Sequence, residues 1–368
     1  FNVYSMKILV YDLHASESGA LAILDDFYSQ VLNCPDKNIE WIFVVSTPNY
    51  DSYENVRVLR YEWTKKSWFH RLYFECFVEK RIIEHFKPDV IFSLQNKGTK
   101  YDTIKQYVYL HFAFGLTDYN FTLRTDGLKL WIYQYLFKYT IFSSLRNVSK
   151  VIVQTQWMKD ALISKANIIS DNILVVTPDI RNNNIIKCVD NHSNKTTFFY
   201  PATAFEYKNH LVLLKACRLL MQYGFDNYEV IFTITPNANR CAKKLYKYCK
   251  KYSLLSKVRF VGNMKREVVF EMYSKSVLVF PSFVESFGMP LLEARMSNSV
   301  ILASDQNFSR EILKDYNNAY FFDASNAAIL YEYMKDIISC KIINTKDSTD
   351  LPINCLSLVD CLLQDIYS

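Results

Sequence analysis

The stretch "FPSFVESFGMPLLEA", residues 280–294, decides how this chain is read. It closes an apolar run, Val277 to Phe280, and leads into residues of helical spacing. Gly288, one of seven glycines in 368 residues, permits a positive φ or a close approach of the backbone. Pro290 suits the first turn of a helix, where its missing N–H costs nothing. The pattern predicts strand, turn and helix, with the N–H groups around Gly288, Met289 and Leu291 open to a ligand, as at anion-binding helix N-termini. Two carboxylates bracket the turn: Glu285 in the loop and Glu293 in the first turn of the helix. A carboxylate is a good bidentate acceptor for sugar hydroxyls. The competing reading has Glu293 answering the helix dipole and Glu285 simply solvated. Spacing alone leaves both open.

The same strand-then-helix rhythm runs along the whole chain. Apolar runs at 6–13, 39–47, 55–63, 87–96, 106–114, 148–156 and 172–180 alternate with helical stretches in the first half. Runs at 196–203, 228–236, 257–263, 276–282, 299–305 and 318–323 do so in the second. Near-continuous apolar strands between helices predict parallel sheets covered on both faces. Between the halves lies "RNNNIIKCVDNHSNK" (181–195), polar and without period, which reads as a linker. The expected organisation is two doubly wound α/β domains: 1–180, and 196–350 after the linker, with a C-terminal helix in 351–368 that can cross back to the first domain. In such sheets ligands bind at the carboxyl ends of the strands, so a cleft between the domains is the expected site.

Composition narrows the classes. A net charge of +6 is mildly basic, short of a nucleic-acid signature, and suits an anionic ligand or membrane surface. Nine cysteines form no CxxC pair and no zinc spacing, and read as reduced core residues of a cytoplasmic protein. No uncharged apolar run reaches the ~20 residues of a membrane span. No signal peptide is seen, and Met6 is the expected natural start. The mixed aromatic and basic stretches "TKKSWFHRLYFECFVEKRIIEHF" (64–86) and "LKLWIYQYLFKY" (128–139) suit a peripheral contact with the inner leaflet, or ordinary packing on a sheet.

Residues 280–294 resemble the E-x7-E signature of retaining GT-B glycosyltransferases of the family 4 type. Other segments are similar in order and spacing: "YPATAFEYKNHLVLLKA" (200–216), "VRFVGNMKREVVFEMYSKS" (258–276) and "SKVIVQTQWMKDAL" (149–162). The resemblance implies the GT-B fold, two Rossmann-like domains facing a cleft. It implies that Glu293 binds the ribose hydroxyls of a nucleotide-sugar and that Glu285 contacts the donor sugar. It gives the backbone of Phe287, Gly288 and Met289 to sugar hydroxyls or phosphate, and Lys208 to the diphosphate, where a cation offsets the charge of the leaving group. Leu292, Gly262, Asn263 and Thr203 are further donor-binding positions. From the residues alone, a solvated loop lysine is the better reading of Lys208, and Asn209 can be an N-cap. The chain departs from the family at Thr203, where relatives often carry an arginine; Lys265 and Arg266 are candidate replacements.

In the first half, "DLHASESGAL" (12–21) follows the first strand, and Asp12, His14 and Glu17 are cleft candidates on that ground. The family has a glycine-rich loop here, of which this chain keeps Gly19. His111, in "VYLHFAF", ends a strand as a histidine near the transferred sugar does in relatives; a buried structural histidine is the alternative. The expected activity is retaining transfer of a sugar to a hydroxyl, with His111, Glu285 and Lys208 as the catalytic candidates. No cofactor is expected, and no metal, since no Asp-x-Asp motif stands at a strand end. The donor is a nucleoside-diphosphate sugar, UDP ahead of GDP or dTDP. The acceptor is a saccharide or a polyprenyl-diphosphate-linked saccharide of capsule or O-antigen type, and no nucleic acid is involved. The rival readings are a soluble synthase-like GT-B enzyme and a non-catalytic carbohydrate- or nucleotide-binding module.

Overall fold

The computed structural model describes residues 4–15, 18–123, 127–178, 186, 195–346 and 357–368. Most of the expected linker 181–195 and the beginning of 351–368 lie outside the described residues, as does Glu17. The chain forms two compact units. One gathers Phe1–Leu116, Lys129–Asp179 and Asn354–Ser368; the other gathers Thr117–Leu128 and Ile180–Ile353.

The first unit holds a seven-stranded sheet. Its strands are β1 (Met6–Asp12), β2 (Ile39–Val45), β3 (Val56–Arg60), β4 (Val90–Ser93), β5 (Lys105–Leu110), β6 (Lys150–Val153) and β7 (Ile173–Val175). They are ordered β3-β2-β1-β4-β5-β6-β7, and every pair is parallel. Every residue of β2 is buried, the signature of a strand covered on both faces. One face packs Phe27, Trp41, Phe43 and Phe92 together with Leu358, Val359 and Leu362 of the helix Leu358–Tyr367. Tyr107 donates its hydroxyl to Asp365 of that helix at 2.7 Å. The opposite face packs Leu9, Tyr11, Ile42 and Phe74.

The second unit holds a six-stranded parallel sheet. Its strands are β8 (Thr196–Tyr200), β9 (Tyr228–Phe232), β10 (Val258–Phe260), β11 (Val277–Phe280), β12 (Ile301–Ser304) and β13 (Ala319–Phe322), in the order β10-β9-β8-β11-β12-β13. In each sheet the order reverses beside the first strand of its unit, which makes the carboxyl ends there the place for a ligand. The segment Thr117–Leu128, which the reading of the sequence put with the first half, groups with this second unit. Tyr119 stacks on Phe283, with ring centroids 4.1 Å apart, just beyond the end of β11.

All thirteen expected strands form, but several are shorter than their apolar runs. The run 106–114 stops pairing at Leu110, and 55–63 gives way after Arg60 to a 3₁₀ turn at Glu62–Lys65. The two aromatic helical stretches each contain a π-helical turn, Phe74–Val78 and Tyr133–Phe137, a feature frequent at functional sites.

Candidate active site at the strand ends of the second unit

The loop after β11 is built as its residue types require. Gly288 has φ +94°, and a Cβ there would stand 3.2 Å from Leu291 and 3.5 Å from Phe308. The turn therefore asks for glycine on both conformation and space. The helix Met289–Met296 starts at once, with Pro290 in its first turn. Leu291 donates its N–H to Gly288 at 2.9 Å, so that group is spent inside the turn and not open to a ligand as its place in the sequence suggested. The N–H groups of Phe287, Gly288 and Met289 donate to no described partner, three consecutive donors at one helix start. The side chains of Phe287 and Leu292 are buried, so any contact they make with a ligand is through the backbone.

Lys208 comes from the loop after β8, in the 3₁₀ turn Glu206–Lys208. Its Nζ meets Glu285 Oε1 at 2.5 Å, both side chains largely buried, so neither is the solvated surface group that spacing alone allowed. Burial pulls the Lys208 ammonium down, but Glu285 and Tyr207 outweigh it and leave it above the ordinary lysine value. Several bonds fix this loop. Tyr200 donates its hydroxyl to the Lys208 carbonyl at 2.8 Å and lies 2.9 Å from Ser282 Oγ. Phe283 donates its N–H to the Tyr207 carbonyl at 2.9 Å. Asn209, expected as an N-cap, makes no capping bond: its Nδ2 donates to the Pro281 carbonyl at 3.2 Å and to Ala324 at 2.8 Å. It pins the Lys208 turn to the ends of β11 and β13.

Glu293 sits in the second turn of its helix, beyond the first turn where the helix dipole acts most, and it is buried. The dipole reading therefore does not account for it. Arg266 Nη2 donates to its Oε1 at 2.7 Å and the Tyr273 hydroxyl to its Oε2 at 3.0 Å. Burial raises its pKa above the ordinary glutamate value, and Arg266 and Tyr273 pull it back in part. A carboxylate has about four lone-pair sites, so two remain for a ligand. A pocket of about 360 Å³ opens beside it, lined among others by Pro201, Thr233, Asn263, Arg266, Tyr273, Met289 and Glu293. Gly262 turns the chain into this pocket with φ +76°, and its N–H is held by the Ile234 carbonyl at 3.2 Å. Thr203 is exposed and does not line the pocket. Tyr273 and Asn209 were not legible as site residues, because what recruits them is a partner twenty or more residues away.

The first unit places its candidates differently. Asp12, at the end of β1, accepts the N–H groups of His14 at 2.9 Å and Ala15 at 3.0 Å through Oδ1, and burial raises its pKa. It shapes the loop. His14 Nδ1 lies 3.0 Å from Arg71 Nη1; since arginine only donates, that nitrogen accepts. Desolvation, then the Arg71 and Lys97 charges, push the His14 pKa down to about 3. Gly19 stands in the first turn of the helix Ser18–Leu32 with open space around it, not in a loop. His111 follows β5. Asn96 Oδ1 accepts its backbone N–H at 2.7 Å, so the Asn96 amide nitrogen is the group facing His111 Nε2 at 3.1 Å. Nε2 accepts, the proton is on Nδ1, and burial pushes the pKa down to about 4. Nδ1 is buried with no described partner. Among the described residues, no group of three His, Cys, Asp or Glu side chains is placed to hold a metal ion.

Comparisons with known proteins bear on the fold and on the second unit. Residues 182–350 match the family described as glycosyl transferases group 1. The O-antigen chain mannosyltransferase RfbU of Salmonella typhimurium (strain LT2) is 24% identical over 184 residues, 50% of this chain and 50% of that protein. The matched region thus spans about half the length of this curated relative. The fold is similar to that of sucrose-phosphate synthase from Thermosynechococcus elongatus, with a TM-score of 0.67, 14% identity, and 91% and 90% of the two chains covered. WaaG, a glycosyltransferase involved in lipopolysaccharide biosynthesis, gives a TM-score of 0.67 at 12% identity over 91% and 90%. HepE of Anabaena, solved with UDP-glucose, gives 0.65 at 14% over 91% and 90%. The chain therefore has the GT-B fold, and the region that matches the glycosyl transferases group 1 family falls in its second unit.

Proposed function

We propose that this protein is a retaining glycosyltransferase of the family 4 type, acting without a metal ion. It moves a sugar from a nucleoside diphosphate, UDP ahead of GDP or dTDP, to a hydroxyl of a saccharide or polyprenyl-diphosphate-linked saccharide. The observation that carries the reading is one strand-end turn in which Lys208–Glu285, Arg266–Glu293 and the N–H groups of Phe287, Gly288 and Met289 converge. A nucleotide-sugar supplies the complement of each: phosphate for the cation and the N–H groups, ribose hydroxyls for Glu293, and sugar hydroxyls for Glu285.

In the reaction the anomeric C–O bond to the diphosphate breaks and a bond to the acceptor hydroxyl oxygen forms. The charge that grows on the departing diphosphate is met by Lys208 and the turn's N–H donors. His111 is neutral and spends Nε2 on Asn96, so it serves as an N–H donor through Nδ1 and not as the base. The hydroxyl proton then passes to the leaving diphosphate, which balances the exchange.

The similarity to an O-antigen mannosyltransferase and to WaaG supports a place in surface-polysaccharide assembly, on the cytoplasmic face of the membrane. No helix among the described residues is long and apolar enough to cross a membrane. Trp68, Phe69, Tyr73 and Phe77 are more than half exposed on one aromatic stretch beside Lys65, Lys66 and His70, which supports a peripheral contact with an anionic leaflet. Co-sedimentation with vesicles containing anionic lipid, lost in Trp68→Ser/Phe69→Ser, checks that part.

The experiment for the donor site is a thermal-shift panel of UDP, GDP, dTDP and CDP sugars on wild type and Glu293→Ala. A nucleotide at 100 times its Kd stabilises the fold by about 2.7 kcal/mol. A shift with one nucleotide that is absent in the variant is the expected result. No shift with any of them overturns the donor assignment and favours a binding module of another kind.

A further inference from the structure

Both carboxylates of the turn face a cation: Glu285 meets Lys208 at 2.5 Å and Glu293 meets Arg266 at 2.7 Å. A nucleotide-sugar carries the opposite set of groups, hydroxyls that a carboxylate accepts and phosphate that a cation binds. Binding is therefore an exchange of partners at two places. Lys208 takes the diphosphate in the reading above, but that reading leaves Arg266 without a role once ribose hydroxyls occupy Glu293.

The geometry singles out Arg266. Its side chain is 56% exposed while the Glu293 side chain is 8% exposed, so the guanidinium approaches the carboxylate from the solvent side and can leave it. It lines the 360 Å³ pocket together with Asn263 and Glu293, and it lies over the Phe270 ring at 5.3 Å, which supports the planar group without spending its N–H donors. Only one of its five N–H donors is on Glu293. Tyr273 stays on the other carboxylate oxygen, so Glu293 keeps a hydrogen bond when Arg266 moves away. Lys265, the neighbouring basic residue, does not line the pocket, and Thr203 offers only a neutral hydroxyl.

We propose that Arg266 is the second diphosphate-binding cation of the donor site, handed from Glu293 to phosphate as the ribose hydroxyls take its place. The inference rests on the nucleotide-sugar reading and adds a residue to it. It predicts that Arg266 discriminates a nucleotide from its nucleoside, whereas Glu293 serves both alike.

The test is calorimetric titration of UDP, GDP and dTDP, each beside its own nucleoside, into wild type, Arg266→Ala, Arg266→Lys and Lys208→Ala. For the nucleotide that wild type binds, the preference for nucleotide over nucleoside should fall about tenfold or more in Arg266→Ala, as the loss of a bond to a charged group implies. Arg266→Lys should keep part of it, and Lys208→Ala should lose it too. The ratio separates a phosphate contact from mere support of Glu293, because loss of support weakens nucleoside and nucleotide together. An unchanged ratio in Arg266→Ala, with wild-type binding intact, overturns the role of Arg266 alone. Failure of wild type to bind any of the three nucleotides overturns the nucleotide-sugar reading and this inference with it. A melting curve of Arg266→Ala without ligand confirms that the half-exposed residue is not needed for folding.

Discussion

Each unit ends its strands in a cluster of polar residues, and the two clusters are used in opposite ways. In the second unit the candidates converge on one turn and keep capacity for a ligand: Glu285 and Glu293 each face a cation, and three N–H groups have no described partner. In the first unit the candidates are bonded chiefly to neighbouring residues, and of Asp12, His14 and His111 only His111 keeps a buried ring N–H, on Nδ1, with no described partner. Asp12 holds the loop after β1, His14 leans on Arg71, and His111 is locked to Asn96. The same residue types at the same kind of strand end thus make a candidate donor site in one place and, His111 Nδ1 apart, a scaffold in the other.

The largest effect should come from Glu293→Ala. It removes the acceptor for the ribose and leaves the Tyr273 hydroxyl buried without its partner. We expect sugar transfer to fall by a hundredfold or more in a coupled assay, with about 1–3 kcal/mol lost from folding stability. Retention of activity would erase the contrast between the units. Gly288→Ala should come next. It puts a Cβ at φ +94° against Leu291, which costs about 1–2 kcal/mol and shifts the helix start, so donor affinity should drop with the melting temperature.

The pH dependence sharpens the contrast. The Glu293 pKa is raised, and its ionised form is the one that accepts ribose hydroxyls. Donor affinity should therefore weaken as pH falls, beginning above the ordinary glutamate range. Tyr273→Phe removes a hydrogen bond that favours the ionised form, so this limb should move to higher pH. Because protonated Glu293 is favoured by folding, its linked contribution to stability is present at low pH and is lost as pH rises through the raised pKa. His111, held down at about 4 by burial, should give no limb between pH 5 and 9.

The smallest effect on nucleotide binding should be in the first unit. Asp12→Ala removes the acceptor of two loop N–H groups, so it should lower the melting temperature while nucleotide affinity in calorimetry stays within about twofold. A larger loss of affinity would show that the first unit's cluster also serves the donor.

How much of this was legible in the sequence follows from the same physics. The strands could be read because both faces of each sheet are covered, which leaves runs such as "VLVF" with no polar interruption. The turn at Gly288 and Pro290 could be read because only these residue types meet its backbone demands. Run ends were overestimated, since Phe112 and Phe114 are apolar but belong to a loop whose rings pack on each other. Asn209 could not be read, because an asparagine before a helix signals a cap and nothing local shows the carbonyls of Pro281 and Ala324. Arg266 was visible only as a spare cation; its pairing with Glu293 depends on where β10 and β11 set their loops. The grouping of Thr117–Leu128 with the second unit left no trace in composition or period.

The helix Leu358–Tyr367 contributes Leu358, Val359 and Leu362 to the core that also contains Phe27 and Trp41. During synthesis these partners are separated by more than three hundred residues. The ribosome makes roughly 5–20 residues per second, so the beginning of the chain waits some tens of seconds, in order of magnitude, before its core can close. The second unit's last strand, β13, ends at Phe322, so that whole sheet leaves the ribosome before the helix that completes the first unit's core.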